Sequence, residues 1–82
     1  MECTLPQIVD VVASFVARTR DLPGDTVQPA TRLLQEGLLD SFSLVELIAD
    51  LESALGASLP EGALLPEDFE SPQVLCDRLR QL

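Results

Sequence analysis

Asp40-Ser41-Phe42-Ser43-Leu44-Val45-Glu46-Leu47-Ile48-Ala49-Asp50-Leu51-Glu52-Ser53-Ala54-Leu55-Gly56 reads as a whole helix with a signal at each end. Asp40 is a strong N-cap, because its carboxylate can accept an amide that the first helical turn leaves unpaired. Gly56 is a natural stop, since it enters the left-handed conformation without steric cost. Between them Leu44, Val45, Leu47, Ile48, Leu51 and Leu55 form a broad apolar face at helical spacing. Glu46, Asp50 and Glu52 occupy the other side. The predicted helix starts at residue 40 or 41, ends near 56, and is about 22 Å long.

The flanking segments also read as helix. Thr4 caps a predicted helix over residues 5–19, with Pro6 in its first turn and Gln7 three residues after the cap. Leu5, Ile8, Val12, Phe15 and Val16 make one stripe, broadened by Val9, and Asp10, Arg18 and Arg20 are expected to face water. At the other end Ser71 caps a last helix that opens on Pro72, with Val74, Leu75, Leu79 and Leu82 as its apolar side. A short helical turn is expected at 66–69, with Pro66 at its start. The connection 21–40 is kept from being helical by Pro23, Gly24 and Pro29. Leu33, Leu34, Leu38 and Leu39 are too apolar for a free loop and should pin it to the core. No segment alternates like a strand. The expected fold is all-α: a bundle of three main helices plus one short helix before the last.

Length and charge restrict what such a bundle does. The chain has 82 residues, 46% of them apolar, which allows one domain, 1–82, with a modest core. A deep enclosed active site would consume core, so a surface function is expected. Acidic residues number 14 against 5 basic, for a net charge of −9, and every basic residue is Arg. A nucleic-acid backbone or an anionic membrane would repel this surface, whereas a partner with a basic patch would be drawn to it. No apolar run reaches the ~20 residues that span a bilayer, and residues 1–4 lack the basic start of a signal peptide. A cytoplasmic monomer is expected, either free-standing or a domain excised from a longer chain.

Histidine is absent, which removes the usual serine or cysteine triads and the usual zinc sites, so no metal centre and no enzyme are expected. Cys3 and Cys76 stand at opposite ends of the chain without metal-ligand spacing. They read as a terminal thiol and a helix residue, with a bridge between them the less favoured alternative. Ser41 is more distinctive. It places a hydroxyl at the first turn of a helix, where amide groups and the positive end of the dipole would stabilise an attached phosphate diester. Asp40 could help hold a divalent cation during such a transfer. On residue chemistry alone, however, a serine at a helix start reads as a structural cap.

Context changes that reading. Glu36-Gly37-Leu38-Leu39-Asp40-Ser41-Phe42-Ser43-Leu44-Val45-Glu46-Leu47-Ile48 resembles the phosphopantetheine attachment region of acyl, peptidyl and aminoacyl carrier proteins. Leu65-Pro66-Glu67-Asp68-Phe69 resembles the same family's stretch before its last helix, and length, acidity and helix order agree along nearly the whole chain. The resemblance implies a 4′-phosphopantetheine arm, moved from coenzyme A onto Ser41 by a phosphopantetheinyl transferase, with Asp40 at the transferase contact. The thiol of that arm would hold cargo as a thioester. A loading ligase and downstream acyltransferases or synthases, reached through basic docking patches, would supply the chemistry. The second helix would be the docking element: Phe42, Val45 and Ala49 as a small apolar patch, ringed by Glu46, Asp50 and Glu52. For Val45 and Ala49, core packing remains the alternative. Phe42 after the serine, and Leu38-Leu39 before Asp40, resemble aminoacyl or peptidyl carriers, including D-alanyl carriers and those of natural-product pathways, more than the fatty-acid pattern. The competing reading is an unmodified acidic helical interaction module.

Overall fold

In a computed structural model, residues 2–21, 27–60 and 62–82 are described. Helix α1 spans Leu5–Arg20, α2 spans Ser41–Leu55, a 3-10 turn spans Pro66–Phe69, and α3 spans Pro72–Arg80. Among the described residues there is no strand. This is the all-α bundle that the periodicity predicts.

Local capping chemistry sets the helix starts. The Gln7 amide donates to Thr4 Oγ1 (3.3 Å), the Ser43 amide to Asp40 Oδ1 (2.9 Å) and the Val74 amide to Ser71 Oγ (3.2 Å). In each case a side-chain oxygen satisfies an amide that has no partner inside the helix. Helix α1 runs one residue beyond the expected end and stops where Asp21 turns left-handed at φ 54°. Gly56 ends α2 at φ 64°, with its amide donating to the Glu52 carbonyl.

Each helix buries one stripe: Ile8, Val12, Phe15 and Val16 from α1; Leu44, Leu47 and Leu51 from α2; Leu75, Cys76 and Leu79 from α3. Phe69 closes the core from the 3-10 turn. The expected apolar side of α3 needs correction. Val74 and Leu82 are 36% and 41% exposed, and Cys76 takes the inner position instead. Pro72, Leu75, Cys76 and Leu79 follow the i, i+3, i+4, i+7 spacing of a single face, and Val74 falls off it. Leu82 lies past the last helical residue.

The described part of the first connection is packed down, as its leucines suggest. Val27, Leu33, Leu38 and Leu39 are all buried. Leu33 is its hub: its amide donates to the Glu70 carbonyl (2.8 Å), and its own carbonyl accepts from the Leu38 (2.9 Å) and Leu39 (3.2 Å) amides. The chain is therefore held against the segment before α3 immediately before it reaches α2. Pro23 and Gly24 lie outside the described residues.

Candidate functional site: the start of the second helix

Asp40 and Ser41 divide two tasks at the start of α2. Asp40 adopts the extended backbone of an N-cap (φ −132°, ψ −178°) and accepts the Ser43 amide. Ser41, the first helical residue, is therefore not needed as a cap. It is exposed, and its hydroxyl makes no hydrogen bond among the described residues. The hydroxyl lies beside the amide groups of a helical first turn, where an attached anion is stabilised.

Asp40 is ionised at neutral pH. The Ser43 amide, then the Ser43 hydroxyl, and more weakly the Arg20 guanidinium, hold its carboxyl below the ordinary value of 3.8. Arg20, in the last turn of α1, lies 3.2 Å from Asp40 Oδ2. The sequence offered a faint signal for this partner, since basic residues favour the end of a helix. Which carboxylate Arg20 meets depends on how α1 crosses α2. Among the described residues, no three Cys, Asp or Glu side chains stand together as a metal site.

The second helix presents an outward stripe. Phe42 is 85% exposed and Val45 70% exposed, and Glu46 and Ala49 are exposed beside them. These four follow the i, i+3, i+4, i+7 spacing, so Phe42, Val45 and Ala49 form one apolar strip flanked by Glu46. The packing alternative for Val45 and Ala49 is thereby set aside. Asp50 and Glu52 are differently engaged. Asp50 is half-buried and pairs with Arg18 on α1 at 2.6 Å. Glu52 is half-buried and accepts the Leu59 amide through Oε2 at 2.7 Å, tying the loop after α2 back onto the helix. Both carboxylates thus have intramolecular partners in addition to any outward role.

Residues 7–79 match the family described as PP-binding, the phosphopantetheine attachment site. The chain belongs to that family. It is 29% identical over 75 residues to D-alanyl carrier protein 2 of Lactiplantibacillus plantarum, covering 89% of this chain and 94% of that protein. It is 33% identical over 54 residues to the D-alanyl carrier protein of Bacillus pumilus, covering 66% and 69% respectively. Acyl carrier protein AcpXL of Brucella melitensis is 23% identical over 82 residues, covering 89% of this chain and 88% of that protein. The chain is thus a carrier protein, and its cofactor is the family's covalently attached 4′-phosphopantetheine. No helix among the described residues is long and apolar enough to cross a membrane.

Proposed function

We propose that this chain acts as one carrier domain that holds an aminoacyl or acyl group as a thioester on a phosphopantetheine arm attached to Ser41, and delivers it to partner enzymes. The observation that carries this is the exposed, unbonded Ser41 hydroxyl at the first position of α2, behind a cap that Asp40 already supplies. The residues fit the group. The oxygen is open to another protein, a phosphate diester on it meets the positive end of α2, and the Arg20 guanidinium stands close enough to Asp40 to offset the crowding of two negative charges. When attached, the arm supplies a thiol for cargo. The chain's own residues anchor it, keep Ser41 at a fixed helix start and present a surface; catalysis comes from partners.

Those partners are a phosphopantetheinyl transferase, a ligase that loads the thiol, and a downstream acyltransferase or synthase. Phe42, Val45 and Ala49 offer them apolar contact. Glu46 and the net charge of −9 favour a basic docking patch, and Asp50 and Glu52 extend the acidic rim. The D-alanyl carrier names of several relatives support an aminoacyl cargo, in an aminoacyl-transfer or secondary-metabolite pathway in the cytoplasm.

Co-expression with a broad-specificity phosphopantetheinyl transferase tests the reading. Intact-mass spectrometry should show one added arm on the wild type and none on Ser41→Ala. An unmodified wild type under conditions that modify a control carrier would refute it. An interaction module of the competing kind would instead keep its binding in Ser41→Ala and lose it on charge reversal at Glu46 and Asp50.

A further inference from the structure

The two cysteines, distant in sequence, meet in space. Cys3 Sγ lies 3.9 Å from Cys76 Sγ and 3.8 Å from the Cys76 carbonyl oxygen. Cys76 is fully buried on the inner face of α3, whereas Cys3 is half-buried and lines an open cleft of about 510 Å³ together with Glu2, Thr4, Gln7 and Arg80. Cys3 is thus the more accessible of the two cysteines, and its sulfur is turned toward that of Cys76.

We infer that Cys3 and Cys76 form a thiol–disulfide exchange site whose reactant is a small soluble disulfide entering by this cleft. Cys3 precedes Leu5, the first helical residue, so its backbone can move without breaking α1. Arg80 Nε, at the end of α3, donates to the Cys3 carbonyl at 3.1 Å and keeps the segment over α3. Closing the sulfurs from 3.9 Å to the ~2.05 Å of a bond takes a shift of about 2 Å, which that segment can supply. The Cys3 thiolate attacks one sulfur of the reactant, forming a mixed disulfide and releasing one thiol. Cys76 then attacks the Cys3 sulfur, forming the Cys3–Cys76 bond and releasing the second. The chain's two thiols lose two electrons, the reactant gains them, and the two protons leave on the released thiols. Burial, and then the hydrogen bond to Cys3, push the Cys76 thiol up, which makes it the poorer first nucleophile; its place in the second step rests on its sulfur standing 3.9 Å from that of Cys3.

The product closes a loop between positions 73 apart in sequence, nearly the whole chain. Loop-entropy arguments place its melting temperature ~10 °C or more above that of the dithiol form. Because Ser41 takes no part, the site stands or falls independently of the carrier reading.

The test uses the unmodified folded chain, whose only thiols are these two, incubated with oxidised glutathione. The expected wild-type product is a monomer lighter by two hydrogens, resistant to alkylation, with a cross-linked peptide joining positions 3 and 76 and a raised melting temperature. Cys76→Ser should keep one glutathione at Cys3, and Cys3→Ser, checked for folding by circular dichroism, should take up none. The wild-type peptide map needs no variant to fold. A wild type that retains glutathione, dimerises or stays reduced, or a folded Cys3→Ser that reacts as readily as wild type, would overturn the proposal.

Discussion

Leu33→Ala removes the side chain that anchors the loop leading into α2. Leu33 is fully buried although it belongs to no helix. Its backbone bonds to Glu70, Leu38 and Leu39 are main-chain groups that alanine retains, so the substitution isolates the contribution of packing. Truncating a buried leucine costs about 2–5 kcal/mol, and a site pressed between the core and the segment before α3 should fall near 3 kcal/mol. A domain of 82 residues has a total stability of roughly 4–12 kcal/mol, so this is a large share. In urea, with a slope of about 1 kcal/mol per molar, the midpoint should fall by ~2–3 M. The melting temperature should drop by about 12–24 °C. Circular dichroism reads both quantities. The half-buried neighbour Leu34→Ala should cost clearly less, and the exposed Gln35→Ala should stay within about 0.5 kcal/mol of wild type. Below its transition, Leu33→Ala should still be converted to the holo form, because the start of α2 is intact. A midpoint shift no larger than that of Gln35→Ala would refute the idea that this leucine docks the loop.

Other perturbations separate charge, backbone and surface effects. Asp40→Asn keeps a capping oxygen but removes the charge. Because the folded carboxyl titrates below its ordinary 3.8, its contribution is present above that pH and is lost as pH falls through the folded value. Wild type should therefore melt above Asp40→Asn at neutral pH, with the gap closing in acid; a gap independent of pH would contradict the assignment. Gly56→Ala meets open space but must hold φ near +64°, so it should lose about 1 kcal/mol in urea melts, purely through the backbone. Phe42→Ala should leave the melting temperature unchanged, because the ring is 85% exposed, yet raise the KM of the phosphopantetheinyl transferase; an unchanged KM would remove Phe42 from the docking surface.

The parts of this fold that could be read from the chain are those decided locally. Thr4, Asp40 and Ser71 mark helix starts because each cap is completed within three residues, and Gly56 marks a stop for the same reason. Leu33 and Leu39 could be recognised as docked because apolar side chains are costly to leave in a loop. What escaped depends on how the helices cross. Val74 is a separate case, since the spacing of Pro72, Leu75, Cys76 and Leu79 already leaves it off the inner face of α3. The partners of Arg18 and Arg20 on α2 lie 32 and 20 residues away, beyond any local rule. Glu52 reads as a solvated acid, yet its carboxylate caps the Leu59 amide seven residues on. Ser41 stands between these cases. Its position at a helix start is plain from spacing, but a hydroxyl there is commonplace, and what distinguished it was the wording of residues 36–48 around it.

In vitro modification of the wild-type chain with coenzyme A and a purified transferase, followed by fragmentation of the intact holo protein, locates the tether to a single residue. All of the added mass should fall on the fragment that contains Ser41 and excludes Ser43. Arm mass on Ser43, Ser53 or any other hydroxyl would contradict the claim that the oxygen left idle by the Asp40 cap is the one that carries cargo.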